Sequence, residues 1–340
     1  AKGMSETIDT DICVIGAGSG GLSVAAGASQ MGARTVLVER GAMGGDCLNY
    51  GCVPSKALIA AGKQAHLMGN GAAFGIAPAE AEVNFRQVMQ HVEATIAAIA
   101  PNDSVERFTA LGVQVIQEEA RFKDARTVTA GDYEIRARRF VIATGSSPLV
   151  PPIPGLEDVP FLTNETIFSQ TRKPSHLIII GGGPIGMELA QAHRRLGCKV
   201  TVVEALSALG KDDPELTAFA LARIREEGVA VLEHTRVTQV SKRGRTGVRV
   251  HIEDADGART IDGSHLLIAA GRTPNIEALD LDRAGITHDR RGITGCSSPM
   301  WPAIMRVWCC APCCFASMRA RTGPSSPGRP IRTPRSPMWD

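Results

Sequence analysis

Two segments of the chain repeat one pattern of apolar and polar positions. In the first, an apolar run at residues 11–15 leads into a glycine-rich turn at 16–21. A helix-like stretch follows to about residue 31, and a second apolar run at 35–38 ends in Glu39. Short continuous apolar runs are typical of buried parallel strands. The pattern therefore predicts a strand–turn–helix–strand unit near the start of the chain.

The same order recurs downstream. Residues 177–180 lead into a glycine-rich turn at 181–186, a helix-like stretch runs to about residue 196, and the apolar run 199–203 ends in Glu204. In both units the first glycine and the terminal acid lie 23 positions apart. The duplicated pattern predicts an α/β protein with two Rossmann-like, doubly wound dinucleotide-binding domains of three ββα layers.

Both turns fit G-x-G-x-x-G, in which each glycine has its own task. The first permits the tight turn, the second lets the backbone approach a pyrophosphate, and the third lets the helix pack on the strand. In that order the glycines are Gly16, Gly18 and Gly21 in the first unit and Gly181, Gly183 and Gly186 in the second. The helix N-terminus that follows offers N–H groups to the phosphates.

An acid closes each unit and is expected to accept hydrogen bonds from ribose hydroxyls. Glu39 has this place in the first unit and Glu204 in the second. A carboxylate repels a 2′-phosphate, and residues 205–210 contain no Lys or Arg to receive one. The second unit is therefore expected to bind NAD(H) rather than NADP(H).

The intervening segments and the composition add coarser expectations. Residues 82–111 are expected to form helices interrupted at Pro101, and residues 113–142 a meander of short strands. No apolar run reaches the roughly 18–20 residues that cross a bilayer, and the start lacks a signal-peptide pattern, so we expect a cytoplasmic protein without a membrane segment. Residues 1–294 have a net charge of −3, which gives no reason to expect nucleic-acid binding.

The end of the chain differs abruptly in composition. Residues 295–340 carry six arginines against one acid, and they hold five of the nine cysteines and eight of the twenty prolines. We expect neither helix nor strand there, because the segment has the spacing of low-complexity sequence. A boundary is predicted near residue 294.

A close cysteine pair carries the candidate chemistry. Cys47 and Cys52 are five positions apart, a step that places side chains about 140° apart on a regular helix, so a disulfide between them needs a distorted backbone. Gly51 supplies a permissive residue, and Pro54 suits the opening of a helix. A zinc site is disfavoured because only His66 lies nearby. The spacing therefore favours a redox-active pair, and no metal ligand is expected.

The run GGDCLNYGCVPSK at residues 44–56 resembles the redox segment of the class I pyridine nucleotide-disulfide oxidoreductases. This FAD-dependent family includes dihydrolipoamide dehydrogenase, mercuric reductase and glutathione reductase. Matching motifs follow in the family's order at residues 143–145, 181–188 and 269–275, and the resemblance spans about residues 10–294. It implies two cofactors, FAD in the first unit and NAD(H) in the second, and a dithiol or disulfide as the external substrate.

The resemblance also implies a domain organisation. An NAD-binding domain is expected to be inserted in an FAD-binding domain. The expected bounds are 1–149 for the first part of the FAD domain, 150–267 for the NAD domain, 268–294 for the return to the FAD domain and 295–340 for the atypical tail. The family's C-terminal dimerisation domain, which makes its members homodimers, is expected to be absent. A truncation or frameshift near residue 294 is the simplest explanation.

Residue roles follow from the same resemblance. Cys47 would be the thiol that exchanges with substrate, and Cys52 the thiolate against the flavin. Lys56 would approach the flavin and pair with Glu188 from the second unit. The expected FAD-binding set is completed by Ala120, Gly145 and Gly271.

The branch within the family is left open. The Pro54-Ser55-Lys56 ending looks like the dihydrolipoamide dehydrogenase and mercuric reductase branches, with the former the leading expectation. Thioredoxin reductase is a poorer match, because its cysteines lie in the NAD domain. Asp46 is a departure, since threonine is commoner there. The cysteine pairs at 309–310 and 313–314 suggest a role in metal handling, as in the mercuric reductase branch, but the residues around them match nothing in the family. A catalytically incomplete nucleotide-binding fragment is the alternative from another class.

Overall fold

The computed structural model describes residues 6–245, 247–296 and 305–306, which form seven α-helices and eighteen strands. The helices are α1 (Ser19–Gln30), α2 (Gly45–Asn49), α3 (Cys52–Met68), α4 (Phe85–Ile99), α5 (Val105–Ala110), α6 (Pro184–Arg195) and α7 (Pro214–Glu226). Short 3-10 helices lie at Ala72–Phe74, Ala100–Asp103, Leu156–Asp158, Ile167–Ser169, Glu277–Leu279 and Leu281–Ala284. Within this part of the chain, no helix combines the length and the apolar character needed to cross a membrane.

The strands fall into two groups along the chain. Those before the second glycine turn are β1 (Glu6–Ile15), β2 (Thr35–Val38), β3 (Val113–Ile116), β4 (Ala120–Asp124), β5 (Thr127–Ala130), β6 (Tyr133–Ile142), β7 (Ser146–Pro148) and β8 (His176–Ile180). Those after it are β9 (Lys199–Val203), β10 (Ala230–Leu232), β11 (Arg236–Arg243), β12 (Gly247–Asp254), β13 (Gly257–Gly263), β14 (His265–Ile268), β15 (Arg272–Pro274), β16 (Ile286–Asp289), β17 (Gly292–Cys296) and β18 (Met305–Arg306).

The first unit is built on a sheet with the order β3-β2-β1-β6-β5-β4. The four neighbouring strands β3, β2, β1 and β6 run parallel. Strands β4, β5 and β6 form an antiparallel meander. The expected meander is therefore shorter than predicted, because β3 joins the parallel part beside β2, with Val38 opposite Ile116. Strand β1 also begins earlier than its apolar run, because its half-exposed beginning continues the ladder to β6 from Glu6 onward.

The second unit repeats the parallel arrangement in a sheet with the order β10-β9-β8-β14. Side chains alternate between its two faces, as the period of a strand requires. Ile178 belongs to a core shared with the antiparallel sheet β11-β12-β13, whereas Leu177 and Ile179 belong to the core beneath α6 and α7. The chain crosses into this unit and back through the short ladder β7–β15, where Arg272 pairs with Pro148. The second unit is therefore inserted in the first.

Helix α3 joins the two units. Its buried Leu58 shares one continuous core with Leu189 and Ala192 of α6. At Gly62 the two helices approach so closely that an added Cβ would lie 3.1 Å from the carbonyl oxygen of Ala192. The helix that begins at Cys52 therefore packs directly on the helix that begins at the second glycine turn.

Two elements lie in the segment where no regular structure was expected. Strand β17 continues to Cys296, and the two-residue strand β18 pairs in parallel with the end of β6. The expectation that the tail lacks strands is wrong at these two places. Strand β17 extends because Cys296 pairs with Ile286 of β16, and β18 pairs with Val141 and Ile142 of β6, beyond the part of β6 that pairs with β5. The cysteine pairs at 309–310 and 313–314 lie outside the described residues. The domain boundaries at residues 149, 267 and 294 stay predictions.

Candidate nucleotide-binding and redox site

The first glycine of each turn occupies a position where any side chain would collide with the backbone of a neighbouring strand. Gly16 and Gly181 have φ angles of +105° and +113°, in the region that favours glycine. A Cβ on either would lie 2.3 Å from a backbone carbonyl oxygen, that of Ala143 at the end of β6 or that of Ala269 after β14. The turn can therefore pass the neighbouring strand only without a side chain.

The third and second glycines have opposite surroundings. A Cβ on Gly21 or Gly186 would lie 1.8 or 2.1 Å from the carbonyl oxygen of the first glycine, so the third glycine lets the helix pack on the turn. Around Gly18 the nearest atom to an added Cβ is 4.0 Å away, and around Gly183 nothing lies within 4 Å. The second glycine therefore leaves open space beside the helix N-terminus, where the sequence pattern places a pyrophosphate.

Each terminal acid binds its own glycine turn. Glu39 and Glu204 both accept the N–H of the residue after the first glycine and the N–H of the second residue after themselves. The distances are 2.6 and 2.7 Å in the first unit and 2.7 and 2.9 Å in the second. Each carboxylate therefore fixes the turn on which a nucleotide would lie, and it is held at the end of its strand.

A cavity of about 500 Å³ opens at the carboxyl ends of the first parallel sheet. This volume is typical of small-molecule sites. Its lining includes five of the residues predicted to bind a nucleotide, namely Gly16, Gly18, Glu39, Ala120 and Gly145. It reaches the cysteine segment through residues that flank Cys47, namely Gly45, Asp46, Asn49 and Tyr50. The predicted binding residues of the second unit lie at the corresponding edge of the other sheet.

These residues fit the nucleotide expected in the first unit. The N-terminus of α1 has an open position at Gly18 and no side chain that caps it among the described residues. A helix N-terminus of this kind favours phosphate groups. Gly183 leaves the same open space at the start of α6, although the first residue of that helix, Pro184, has no N–H to donate.

The cysteine segment is two short elements in close contact. Cys47 lies in α2, Cys52 begins α3, and both side chains are half-buried. Between them Gly51 lies so close to α2 that an added Cβ would be 3.0 Å from the carbonyl oxygen of Asp46 and 3.3 Å from the Cα of Cys47. The predicted backbone distortion is therefore present, and Gly51 permits it.

Lys56 and Glu188 meet across the two units. The Lys56 Nζ lies 3.1 Å from the Glu188 Oε1. Lys56 is on the first turns of α3, one turn beyond Cys52, and Glu188 is on the first turns of α6. The pair therefore joins the cysteine helix to the helix at the second nucleotide turn.

The buried thiols elsewhere are of a different kind. Burial raises the pKa of the Cys198 thiol to about 11, and it raises the pKa of the Cys13 thiol still further. Neither supplies a thiolate at neutral pH. Among the cysteines whose side chains the structure describes, the half-buried pair Cys47 and Cys52 is therefore the candidate for thiolate chemistry.

The sequence matches the family described as pyridine nucleotide-disulphide oxidoreductase over residues 10–326. The chain belongs to this family. The match extends past the boundary predicted at residue 294. It confirms the family expected from the cysteine segment and the paired glycine turns.

Several relatives within the family carry more specific names. A mercuric reductase of Lysinibacillus sphaericus is 33% identical over 277 residues, which are 81% of this chain and 50% of the relative. A mercuric reductase of Shigella flexneri is 35% identical over 318 residues, 89% of this chain and 55% of the relative. A dihydrolipoamide dehydrogenase of Chaetomium thermophilum is 31% identical over 336 residues, 94% of this chain and 65% of the relative.

The solved structures agree in fold. The HOCl-induced flavoprotein disulfide reductase RclA of Escherichia coli, as a Cu(II) complex, superposes with a TM-score of 0.72 at 28% identity. The match covers 84% of this chain and 61% of RclA. The chain thus spans between half and two thirds of the length of these oxidoreductases.

Residues outside the predicted set also build the site. Asn275, in the segment that returns to the first unit, donates to the carbonyl oxygen of Thr144 at 3.1 Å and accepts from Ser147 Oγ at 2.9 Å. Arg272 in the same segment donates to Ser146 Oγ at 2.8 Å. The motif at residues 269–275 pointed to this segment but not to its polar contacts.

Proposed function

We propose that this chain binds FAD at the first unit and NAD(H) at the second and passes electrons between them and the Cys47–Cys52 pair. The external substrate would be a dithiol or disulfide. The observation that carries the proposal is the packing of α3, which starts at Cys52, on α6, which starts at the second nucleotide turn, with the Lys56–Glu188 pair between them. This packing supports the proposal because it joins the helix that begins at Cys52 to the helix that follows the second glycine turn.

The first unit would hold FAD through Gly18 and the N-terminus of α1 at the pyrophosphate and Glu39 at a ribose. Ala120, Gly145 and Gly271 are further proposed contacts. The bound flavin would supply two-electron transfer between a nicotinamide and the thiols. Lys56 would place a positive charge at the edge of that site, and Glu188 would hold its ammonium group in position.

The cysteine pair would exchange with an external disulfide in two steps. The Cys47 thiolate attacks one substrate sulfur, a mixed disulfide forms, and the other substrate sulfur leaves as a thiolate that takes up a proton. The Cys52 thiolate then attacks the Cys47 sulfur and releases the second substrate thiol. The pair ends as a disulfide, so it loses the two electrons that the substrate gains.

The second unit is proposed to prefer NAD(H). The Glu204 carboxylate is held in place by two backbone N–H groups at 2.7 and 2.9 Å, so a 2′-phosphate would meet a fixed negative charge. Gly183 would receive the pyrophosphate.

An absorbance scan of the purified chain tests the central proposal. We expect a flavin spectrum that gains a long-wavelength charge-transfer band when NADH is added. Cys52→Ser should abolish the band, while the matched variant Cys47→Ser should keep it and lose disulfide reduction. Colourless protein would instead support the alternative of a nucleotide-binding fragment without turnover. A band unchanged in Cys52→Ser would show that the thiol next to the flavin is misassigned.

Two substrates remain candidates within the proposal. Dihydrolipoamide is the leading one, on the resemblance of the Pro54-Ser55-Lys56 ending. Mercuric ion is the second, because relatives at 33% and 35% identity are mercuric reductases. NAD⁺ reduction with dihydrolipoamide and NADH oxidation with mercuric ion plus a thiol distinguish them. Activity with mercuric ion plus a thiol but none with dihydrolipoamide would make mercuric ion the leading substrate.

A further inference from the structure

A closed triangle of polar side chains lies beside the cysteine pair. Asp46 Oδ1 is 3.1 Å from Arg272 Nη2, and it also accepts a hydrogen bond of 3.1 Å from Asn164 Nδ2. Asn164 Oδ1 in turn accepts from Arg272 Nη1 at 3.3 Å. Each of the three side chains therefore contacts the other two.

The triangle is shielded from solvent and anchored on both sides. Asn164 is only 7% exposed, and the side chains of Arg272 and Asp46 are 13% and 27% exposed. Arg272 donates further to the Oγ and carbonyl oxygen of Ser146, and Asn164 donates to the carbonyl oxygen of Tyr50. An ion pair in such a setting is screened far less than an exposed one. Breaking it would leave a poorly solvated carboxylate.

Asp46 stands where its charge matters for the redox pair. It immediately precedes Cys47 on the five-residue helix α2. It lines the cavity of about 500 Å³ and also a cavity of about 20 Å³ whose lining includes Glu188. A carboxylate next to a thiol disfavours the thiolate unless a positive charge balances it.

We propose that Arg272 is the positioning residue of the redox pair. By neutralising Asp46 and fixing α2 to the segment that returns from the second unit, it keeps the Cys47 thiol reactive at neutral pH. The inference rests on the proposed function, since it assigns the control of that same site. It explains how this chain accommodates an acid where the family commonly has threonine.

The other charged groups around α2 stay constant in the test. They are Lys56 on α3, Glu188 on α6, Asp103 beside Gly44 and Glu165 at the rim of the cavity. A difference between variants at Asp46 and Arg272 therefore reports on that pair.

The experiment measures the pH profile of Cys47 alkylation. The reduced full chain is treated with iodoacetamide, and peptide-resolved mass spectrometry gives the rate at Cys47. Arg272→Gln should raise the midpoint by about one pH unit and slow alkylation at neutral pH about tenfold, because Asp46 is left unbalanced. Asp46→Asn should lower the midpoint, and the double variant should return close to the wild-type profile.

Matched variants separate charge from folding. Arg34→Gln removes an arginine from the ion pair with Asp11 at the opposite edge of the sheet, and it should leave the Cys47 profile unchanged. Should Arg272→Gln fail to fold, Arg272→Lys keeps the charge and should retain a near-wild-type profile. A large shift in the lysine variant would overturn the charge-based role of Arg272.

The remaining outcomes are equally decisive. An unchanged profile in Arg272→Gln, or a shift that Asp46→Asn does not reverse, refutes the inference. The alkylation assay needs no flavin, so its result is distinguishable from the result of the absorbance scan that tests the proposed function. Colourless protein with the expected shifts would contradict the flavin-dependent function and support the role of Arg272. A flavin-containing chain whose Cys47 alkylation profile is unshifted in Arg272→Gln would support the flavin-dependent function and contradict the role of Arg272.

Discussion

The open position at the second glycine of the second turn permits a substitution that separates the proposed NADH binding from stability. Gly183 has φ −74° and ψ 178°, a conformation that alanine adopts freely. An added Cβ would have no atom within 4 Å. Gly183→Ala should therefore leave the free energy of unfolding unchanged or raise it by about 0.4–1 kcal/mol, because the unfolded chain loses freedom.

The same methyl group would stand where the proposed pyrophosphate would approach the helix N-terminus. Losing one charge-assisted hydrogen bond costs about 1.5–3 kcal/mol. The dissociation constant for NADH should thus rise by about 10- to 100-fold. The neighbouring Gly186→Ala should behave differently, since its Cβ would lie 2.1 Å from the carbonyl oxygen of Gly181. It should lower the free energy of unfolding by about 1–3 kcal/mol or more.

Calorimetric titration with NADH and guanidinium chloride unfolding measure the two quantities on the same preparations. Gly27→Ala serves as the control, because this position in α1 is also free of contacts within 4 Å and lies outside both turns. It should leave NADH binding unchanged. An unaltered dissociation constant in Gly183→Ala would refute the placement of the pyrophosphate at this glycine.

Three further predictions concern the acid, the helix contact and a buried histidine. Glu204→Ser should narrow the preference for NADH over NADPH by about tenfold, because a fixed negative charge is removed; equal dissociation-constant ratios in variant and wild type would contradict this. Gly62→Leu should lower the free energy of unfolding by about 1–3 kcal/mol, since its side chain would meet the backbone of Ala192, and an unchanged melting temperature would count against that contact. Burial lowers the pKa of His193 from 6.5 to about 4, so between these pH values the unfolded chain binds a proton that the folded chain does not. The free energy of unfolding should therefore fall as pH drops through this window. Urea titrations at pH 7.5 and 4.5 should show that this fall is smaller in His193→Gln than in the wild type, by about 2.5 kcal/mol.

The local sequence predicts the two nucleotide units well, and the reason is physical. A buried parallel strand, a glycine turn and a helix start are each encoded within a few residues, so Gly16 and Gly181 mark their turns without knowledge of the rest of the chain. The match to the family and the two parallel sheets confirm this prediction of two strand–turn–helix–strand units. The roles given to Cys47 and Cys52 stay predictions.

Contacts between distant segments are what the sequence cannot give. Asp46 stands out in its motif, but its partner Asn164 is 118 positions away and belongs to no motif. Strand β3 joins the parallel sheet because an edge of β2 is available, which its own residues do not encode. The sequence shows Gly62 only as a glycine within a helix, and its close contact with Ala192 of α6 becomes apparent only in the structure.

The contact at Gly62 also bears on how such a protein can be taken apart and recombined. In sequence the second unit is one continuous insertion with two boundaries, which suggests that it could be transferred between proteins as a cassette. In space, Leu58 of α3 and Val92 of α4 complete the core of that cassette. A transplant bounded at residues 150 and 267 would leave the apolar face of α6 without its cover. The portable piece comprises the second unit together with α3 and α4, so a working chimera must inherit the cysteine helix along with the nucleotide site.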